Sequence, residues 1–267
     1  MKVVFVGRRN FMNHCFANWL AERHEVCAYF QADMNRYTRS YKRAWLRKRI
    51  KRYGLIRALD EALFQVYRNR FKVQKDSGLM REFFQTHFGS ESLNPPPGVP
   101  YYEFPNLNSQ EAVKTLETIK PDLVFAVCIS QYLRKPYMEI PRLGTALYHE
   151  GLTPEYRGLH TAFWANYNGE PQQIGYTLLQ INEKIDDGPP LAQGLGNIEP
   201  DLTNMWGYAG HKALVDGLPA VEQALAQLKA GQKPQVVRET GPARTYSYAG
   251  ISDELRRRWR QRKKRMV

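Results

Sequence analysis

His149 follows an apolar run at residues 143–148, and Asp186 sits in the polar loop after a second apolar run at residues 174–181. A histidine has an unperturbed pKa of about 6.5, so small environmental effects place it near neutral pH as an acid or a base. A carboxylate beside it orients the ring or favours its cation. A lone histidine at a strand end is more often a satisfied structural residue than a catalyst. Here it has company: the turn Gly151, Leu152, Thr153, Pro154, Glu155, Tyr156, Arg157, Gly158 follows at once, and Ile185, Asp186, Asp187, Gly188 come further on. Proton transfer at one shared site is the chemistry these residue types serve.

The elements that must position them read as an α/β fold. Residues 2–6 end in Gly7 and form a first interior strand feeding a helix over 13–23, with a second strand at 25–31. The single Gly7 in Gly7, Arg8, Arg9, Asn10 is no phosphate cradle, which needs several glycines; Arg8 and Arg9 remain available to an anionic substrate group. A third strand is expected over 99–104, then a helix capped by Ser109. The continuous apolar run 123–128 reads as a central strand. A short helix is expected over 161–167. Leu214, Leu218, Val221, Leu225 and Leu228 keep helical spacing within 205–230, where Gly207 and Pro219 predict a break. This makes a doubly wound, mainly parallel sheet, whose ligands sit at the carboxyl ends of the strands. Residues 34–93 interrupt that plan as a helical insertion. A helix over 41–53 stops at Gly54; the next carries Leu55, Leu59, Ala62, Leu63 and Val66 on one face and Arg57, Asp60, Glu61 and Arg68 off it. A third runs over 79–88, and together they are expected to cover the sheet edge. The main domain spans 1–230, and 231–267 form a C-terminal extension with a basic tail.

A strand ending in His, then Gly-Leu-x-Pro-x-Tyr-Arg-Gly, then Ile-Asp-x-Gly resembles the folate-dependent formyltransferases, a family that includes methionyl-tRNA, amino-sugar and glycinamide ribonucleotide formyltransferases. His149, Gly151, Leu152, Pro154, Tyr156, Arg157, Gly158, Ile185, Asp186 and Gly188 carry the match. The resemblance implies a Rossmann-like fold and N-formyl transfer from 10-formyltetrahydrofolate to an amine, with His149 and Asp186 as the catalytic pair. Such transfer passes through a tetrahedral carbon and needs a base, an oxyanion donor and a group to hold the base. The family's folate pocket falls on Cys128, Ile129, Ser130, Leu133, Glu183, Ile185 and Gly188, and its acceptor side on Tyr156, Arg157, His160 and Trp164. One position departs: the family places Asn two residues before the His, and this chain has Leu147. Loss of one oxyanion donor costs on the order of 100- to 1,000-fold in rate. Three readings stay open. Tyr148, Thr145, Ser130 or Gln131 supplies the donor; or the site hydrolyses formylfolate or performs another one-carbon reaction; or it binds folate without catalysis. Retention of both His149 and Asp186 favours an enzyme.

A basic loop after the second strand matches the tRNA formyltransferases, but there is no room beyond the catalytic region for their tRNA-binding barrel. The first turn lacks the glycines a glycinamide ribonucleotide enzyme uses. A small-molecule amine is therefore expected, on an amino-sugar nucleotide or an amino-acid-derived metabolite. The net charge of +13 is concentrated in two segments. Residues 36–52, opened by Arg36 and closed by Arg52, hold nine Lys and Arg and no acid; residues 256–265, opened by Arg256 and closed by Arg265, hold eight more. That leaves the rest of the chain near −4. Such runs suit an anionic surface, nucleic acid or membrane, or else a solvated helix face. Cys15, Cys27 and Cys128 are scattered and odd in number, which fits buried apolar positions and no disulfide or metal set. The apolar start is too short for a signal segment and no stretch has spanning length, so a cytoplasmic protein is expected. An apolar content of 43% suffices for a core.

Overall fold

A computed structural model of the chain describes residues 1–32, 39–71, 73–129 and 131–265. It opens with β1 (Lys2–Gly7), α1 (Phe11–Ala21) and β2 (Glu25–Ala32), then runs through three helices, α2 (Arg39–Tyr53), α3 (Leu55–Phe71) and α4 (Val73–Phe88). Alternation resumes with β3 (Tyr101–Phe104), α5 (Gln110–Ile119), β4 (Leu123–Val127), the short α6 (Pro136–Glu139) and β5 (Thr145–His149). After β6 (Arg157–Gly158) and α7 (Thr161–Asn168) come the hairpin strands β7 (Gly175–Gln180) and β8 (Pro190–Leu195). The helical stretch at 205–230 is indeed broken, into α8 (Trp206–Asp216) and α9 (Leu218–Lys229), and the chain ends with β9 (Thr245–Tyr246) and α10 (Ile251–Arg265).

Seven strands form one sheet in the order β3-β2-β1-β4-β5-β7-β8. Pairing is parallel from β3 through β5 and antiparallel at β5–β7 and β7–β8. The order reverses direction between β1 and β4, the place where crossovers diverge and leave a crevice at the carboxyl ends. Every residue of β4 is buried, as its unbroken Leu-Val-Phe-Ala-Val requires of a strand covered on both faces. Phe16, Leu20, Phe84, Leu214, Val221 and Leu225 from α1, α4, α8 and α9 pack one face, and Ala112, Leu116 and Tyr137 from α5 and α6 pack the other. Ser109 caps α5 by accepting from the Ala112 amide at 3.2 Å.

The insertion corrects one expectation. α3 was expected to cover the sheet edge with its apolar face, yet it buries Ala58, Glu61 and Phe64 and turns Leu59, Leu63 and Val66 outward at 47%, 58% and 66% exposure. The reason is electrostatic. Glu61, 1% exposed, accepts from Arg49 of α2 at 2.7 Å and faces Arg57 at 3.3 Å, and Arg57 reaches Asp253 of α10 at 2.8 Å. Asp60 accepts from the amide and hydroxyl of Ser252 at 2.9 and 2.7 Å. Once desolvated, these charges need their partners more than the exposed aliphatics need cover.

The C-terminal segment is likewise built into the body. Two residues of β9 pair in parallel with β6. The Trp164 indole donates to the Ser247 carbonyl at 3.0 Å, and Ala249 joins Phe64, Phe163, Trp206 and Ala209 in a third apolar cluster.

Candidate active site

β5 delivers His149 to the carboxyl edge of the sheet, where it is 7% exposed. Its Nε2 lies 3.2 Å from the Tyr156 carbonyl. A carbonyl can only accept, so Nε2 carries the hydrogen and Nδ1 holds the lone pair of the neutral ring. Nδ1 faces Asp186 Oδ2 at 3.8 Å. Asp186 comes from the loop between β7 and β8 and sits at φ +48°, its carboxylate fixed by the Gly158 amide at 2.9 Å. The turn after His149 therefore holds both partners: the Tyr156 carbonyl sets the ring and the Gly158 amide sets the acid.

Two glycines make that turn sterically feasible. A Cβ on Gly151 would lie 2.4 Å from the Tyr156 carbonyl and 2.7 Å from His149 Nε2. At Gly158 it would lie 2.1 Å from the Tyr246 carbonyl, on a backbone at φ +91°. A buried hydroxyl then braces the whole turn from β7. Thr177 accepts from the Thr153 amide at 3.1 Å and donates to the Gly151 carbonyl at 2.7 Å. The Gln193 amide donates to it at 2.9 Å, and Arg238 donates to Gln193 at 3.1 Å and to the Thr153 carbonyl at 3.0 Å. None of Thr177, Gln193 and Arg238 was singled out from the sequence. The available signal was Thr177 itself, a hydroxyl inside an apolar strand that must find a partner.

The residues expected around the folate form two loops and a floor. Cys128 ends β4 at φ +45°, Ile129 packs on the apolar cluster beneath, and Leu133 is buried in that cluster at 3% exposure. Ser130 lies outside the described residues. Across the crevice, Glu183 and Ile185 are exposed. Gly188 packs so closely that a Cβ would fall 1.6 Å from the Gln180 carbonyl, so its role is to let the loop re-enter the sheet. Sequence reasoning missed Tyr132, which is 44% exposed and reaches from one loop to the Asn182 carbonyl of the other at 3.5 Å.

The residues expected on the acceptor side do structural work. Tyr156 is 1% exposed; its hydroxyl bonds Glu170 and its ring stacks on Tyr246 at 5.5 Å. Arg157 is ion-paired with Asp187. The His160 ring packs between Trp206 at 5.3 Å and Tyr248 at 5.5 Å, and Trp164 stacks on Tyr246 at 5.1 Å. Together they seat the C-terminal segment against the turn that holds His149 and Asp186.

A further polar group lines the crevice at the switch point. Cys128, Glu150 and His211 each offer a ligand-type atom within 4.8 Å of the others, the one such trio among the described residues. His211 Nδ1 is 2.9 Å from the Gly207 carbonyl and 3.5 Å from Glu150 Oε2. Burial and then the Glu150 carboxylate push the Cys128 thiol up, with Arg8 opposing. The three side chains form a polar wall. Arg8 acts on that wall, whereas Arg9 turns away to pair with Glu103 at 3.3 Å.

The structure also decides among the donors that could replace the Asn absent at Leu147. Leu147 shares a strand face with His149 and packs on the apolar cluster with Ile129 and Ile181. Tyr148 donates to the Leu214 carbonyl on the opposite face, and Thr145 to the Tyr137 carbonyl. Gln131 spends its amide on the Leu107 amide hydrogen at 2.9 Å and the Pro105 carbonyl at 3.2 Å. Three of the four candidates are thus committed elsewhere.

The model of the formyl transferase family matches residues 77–212, just over half of the 267 residues, and includes both His149 and Asp186. This chain belongs to the formyl transferase family. It is 33% identical over 162 residues to a methionyl-tRNA formyltransferase of Pseudomonas fluorescens, covering 60% of this chain and 49% of that one. The chain spans about half the length of the curated relatives it matches. Among solved structures, a sugar N-formyltransferase from a Shewanella species superposes with a TM-score of 0.53 at 18% identity, covering 95% of this chain and 78% of the other. Glycinamide ribonucleotide transformylase 1 from Symbiobacterium toebii gives 0.54 at 15% identity, covering 92% and 94%. These likenesses establish the formyl transferase fold over nearly the whole chain.

Proposed function

We propose that this family member moves a formyl group from 10-formyltetrahydrofolate to the primary amine of a small metabolite, an amino-sugar nucleotide or an amino-acid-derived amine. The observation that carries the reading is the convergence of His149, at the carboxyl end of β5, and Asp186, from the loop that joins the antiparallel strands β7 and β8, with Nδ1 facing the carboxylate at 3.8 Å. The two loops beside them fit a flat folate ring. Tyr132 and Ile185 offer exposed apolar surface at the mouth, and the main chain of residues 128, 129, 131–133 and 182–188 offers amides and carbonyls. Bound there, the folate supplies a formyl carbon open to attack by an amine.

The residues divide the remaining work. The attacking amine loses a proton to His149 Nδ1, the ring atom left free by the bond from Nε2 to Tyr156. Asp186 stabilises the resulting imidazolium, and the Gly158 amide keeps the carboxylate from drifting away. The same imidazolium returns the proton to the departing nitrogen. The polar wall of Glu150 and His211 receives the acceptor amine before that step.

Acceptor-dependent consumption of formyl folate, measured across a panel of amino sugars and amino acids, tests the reading. His149→Ala and Asp186→Asn are each expected to lower turnover by roughly 100-fold or more while leaving the fold intact. A second reading, hydrolysis of the formyl group by water, draws on the apolar Leu147 at the usual donor position. Consumption that proceeds equally without any amine would favour it.

A further inference from the structure

The outward face of α3 is an aliphatic stripe in open solvent. Ile56, Leu59, Leu63 and Val66 recur at helical spacing and are 86%, 47%, 58% and 66% exposed. A helix that buries its ion pairs and displays its aliphatics is held that way by the rest of the fold, and contiguous exposed apolar surface marks an interaction site. Three helices pack on α3, and two of them, α2 and α10, are basic. α2 contains no Asp or Glu and exposes Arg43, Arg47, Lys48, Lys51 and Arg52. α10 buries its two acids, Asp253 and Glu254, and exposes five Lys and Arg between positions 256 and 263 together with Leu255 and Trp259.

We propose that α2, α3 and α10 form a docking surface for an anionic lipid membrane, on which the protein sits peripherally. The charge pattern selects this occupant. A second copy of the chain would bring acid-free basic surfaces face to face. A nucleic acid would answer the Lys and Arg but leave Ile56, Leu63 and Val66 without apolar partners, since bases stack on aromatic rings. An anionic bilayer meets both demands. The aliphatic stripe enters the boundary between headgroups and acyl chains, the flanking cations meet the headgroup charge, and Trp259 and Tyr53 lie at the level where aromatic residues concentrate. No helix among the described residues is long and apolar enough to cross a membrane, so the attachment is to the surface. The inference does not depend on the catalytic reading.

The test is co-sedimentation of the full chain with vesicles of phosphatidylcholine alone or of phosphatidylcholine with phosphatidylglycerol. Binding is expected on the mixed vesicles, roughly 10-fold or more weaker on phosphatidylcholine, and weakened by salt. Ile56→Ser with Leu63→Ser changes only exposed side chains, and Arg47→Glu with Lys51→Glu changes only exposed charges. Each pair is expected to lower binding by about 10-fold or more with an unchanged circular dichroism spectrum. Absence of binding to anionic vesicles, or binding unaffected by the serine pair, overturns the proposal. So does a dimer in light scattering that the serine pair dissolves, which would show that a second copy covers the stripe. RNA binding in the absence of vesicle binding would assign the basic helices to nucleic acid and overturn it equally.

Discussion

At the scale of single residues, the site is defined by a histidine whose two nitrogens have different jobs. The Tyr156 carbonyl takes the Nε2 hydrogen, and this leaves Nδ1 to exchange a proton in front of Asp186. Leu147 stands two residues upstream on the same face, where it can give no hydrogen bond to the formyl oxygen as that oxygen gains charge. Thr145, Tyr148 and Gln131 are spent on main-chain partners. In the proposed reaction, protonated His149 is then the donor best placed to help, so one ring would serve as both base and electrostatic support. Adding an amide by Leu147→Asn should separate these duties and raise turnover, on the order of 100-fold for one well-aimed donor. Steady-state turnover with a saturating acceptor checks this. Unchanged turnover would place an existing donor on Ser130 or on a main-chain amide of its loop.

At the scale of elements, α3 reverses the usual economy of an amphipathic helix. Its stability contribution should lie with Glu61, which joins Arg49 and Arg57, and hardly at all with its outward leucines. Glu61→Ala leaves the buried Arg49 guanidinium without its carboxylate, while Arg57 keeps Asp253, and should cost about 3 kcal/mol. Leu59→Ala on the same helix should stay within about 0.5 kcal/mol. Urea midpoints of the two variants make the comparison, and the reverse ranking would show that the leucine face is the buried one. The sequence could not reveal this inversion, because helical spacing divides a helix into two faces without saying which one meets the core. The central strands were legible for the opposite reason. Residues 123–127 are apolar without interruption, and only a strand covered on both sides uses such a run. His149 was legible from its place at the end of a strand, whereas the position of Asp186 was not, because β7 runs antiparallel to β5 and its loop approaches His149 from the other end of the strand. The pairing of β6 with β9 was not, since two residues at each end of a long sequence separation leave no local pattern. The burial of Tyr156 was hidden too: its contribution to the site is a carbonyl, which every residue type possesses.

At the scale of the whole molecule, the C-terminal segment is secured by carboxylates at both ends. Burial pushes Glu254 upward, but hydrogen bonds and charge from Arg257 and then Arg258 outweigh it and leave its pKa below the ordinary value. Burial also raises Glu155, while the Arg238 guanidinium and the Gly241 amide bring it down further. A carboxylate with a lowered folded-state pKa stabilises the fold above its unfolded pKa of about 4.3, and that stability is lost as pH falls through the folded value. The thermal midpoint should therefore drop in acid below about pH 4.3. Glu254→Gln should lower the midpoint at neutral pH and flatten the acid limb; an acid limb as steep as that of the unaltered protein would remove Glu254 from the account. This segment is also closed by an ion pair from Arg57 in the insertion to Asp253, and by hydrogen bonds from Ser252 back to Asp60, across 196 and 192 positions of sequence. Neither piece can be discarded without stranding desolvated charges on the other. In descent, then, the insertion and the tail form a single heritable unit: lineages should gain or lose them together, a homologue that keeps only the insertion should carry a neutral residue in place of Asp60, and one that keeps only the tail a neutral residue in place of Asp253.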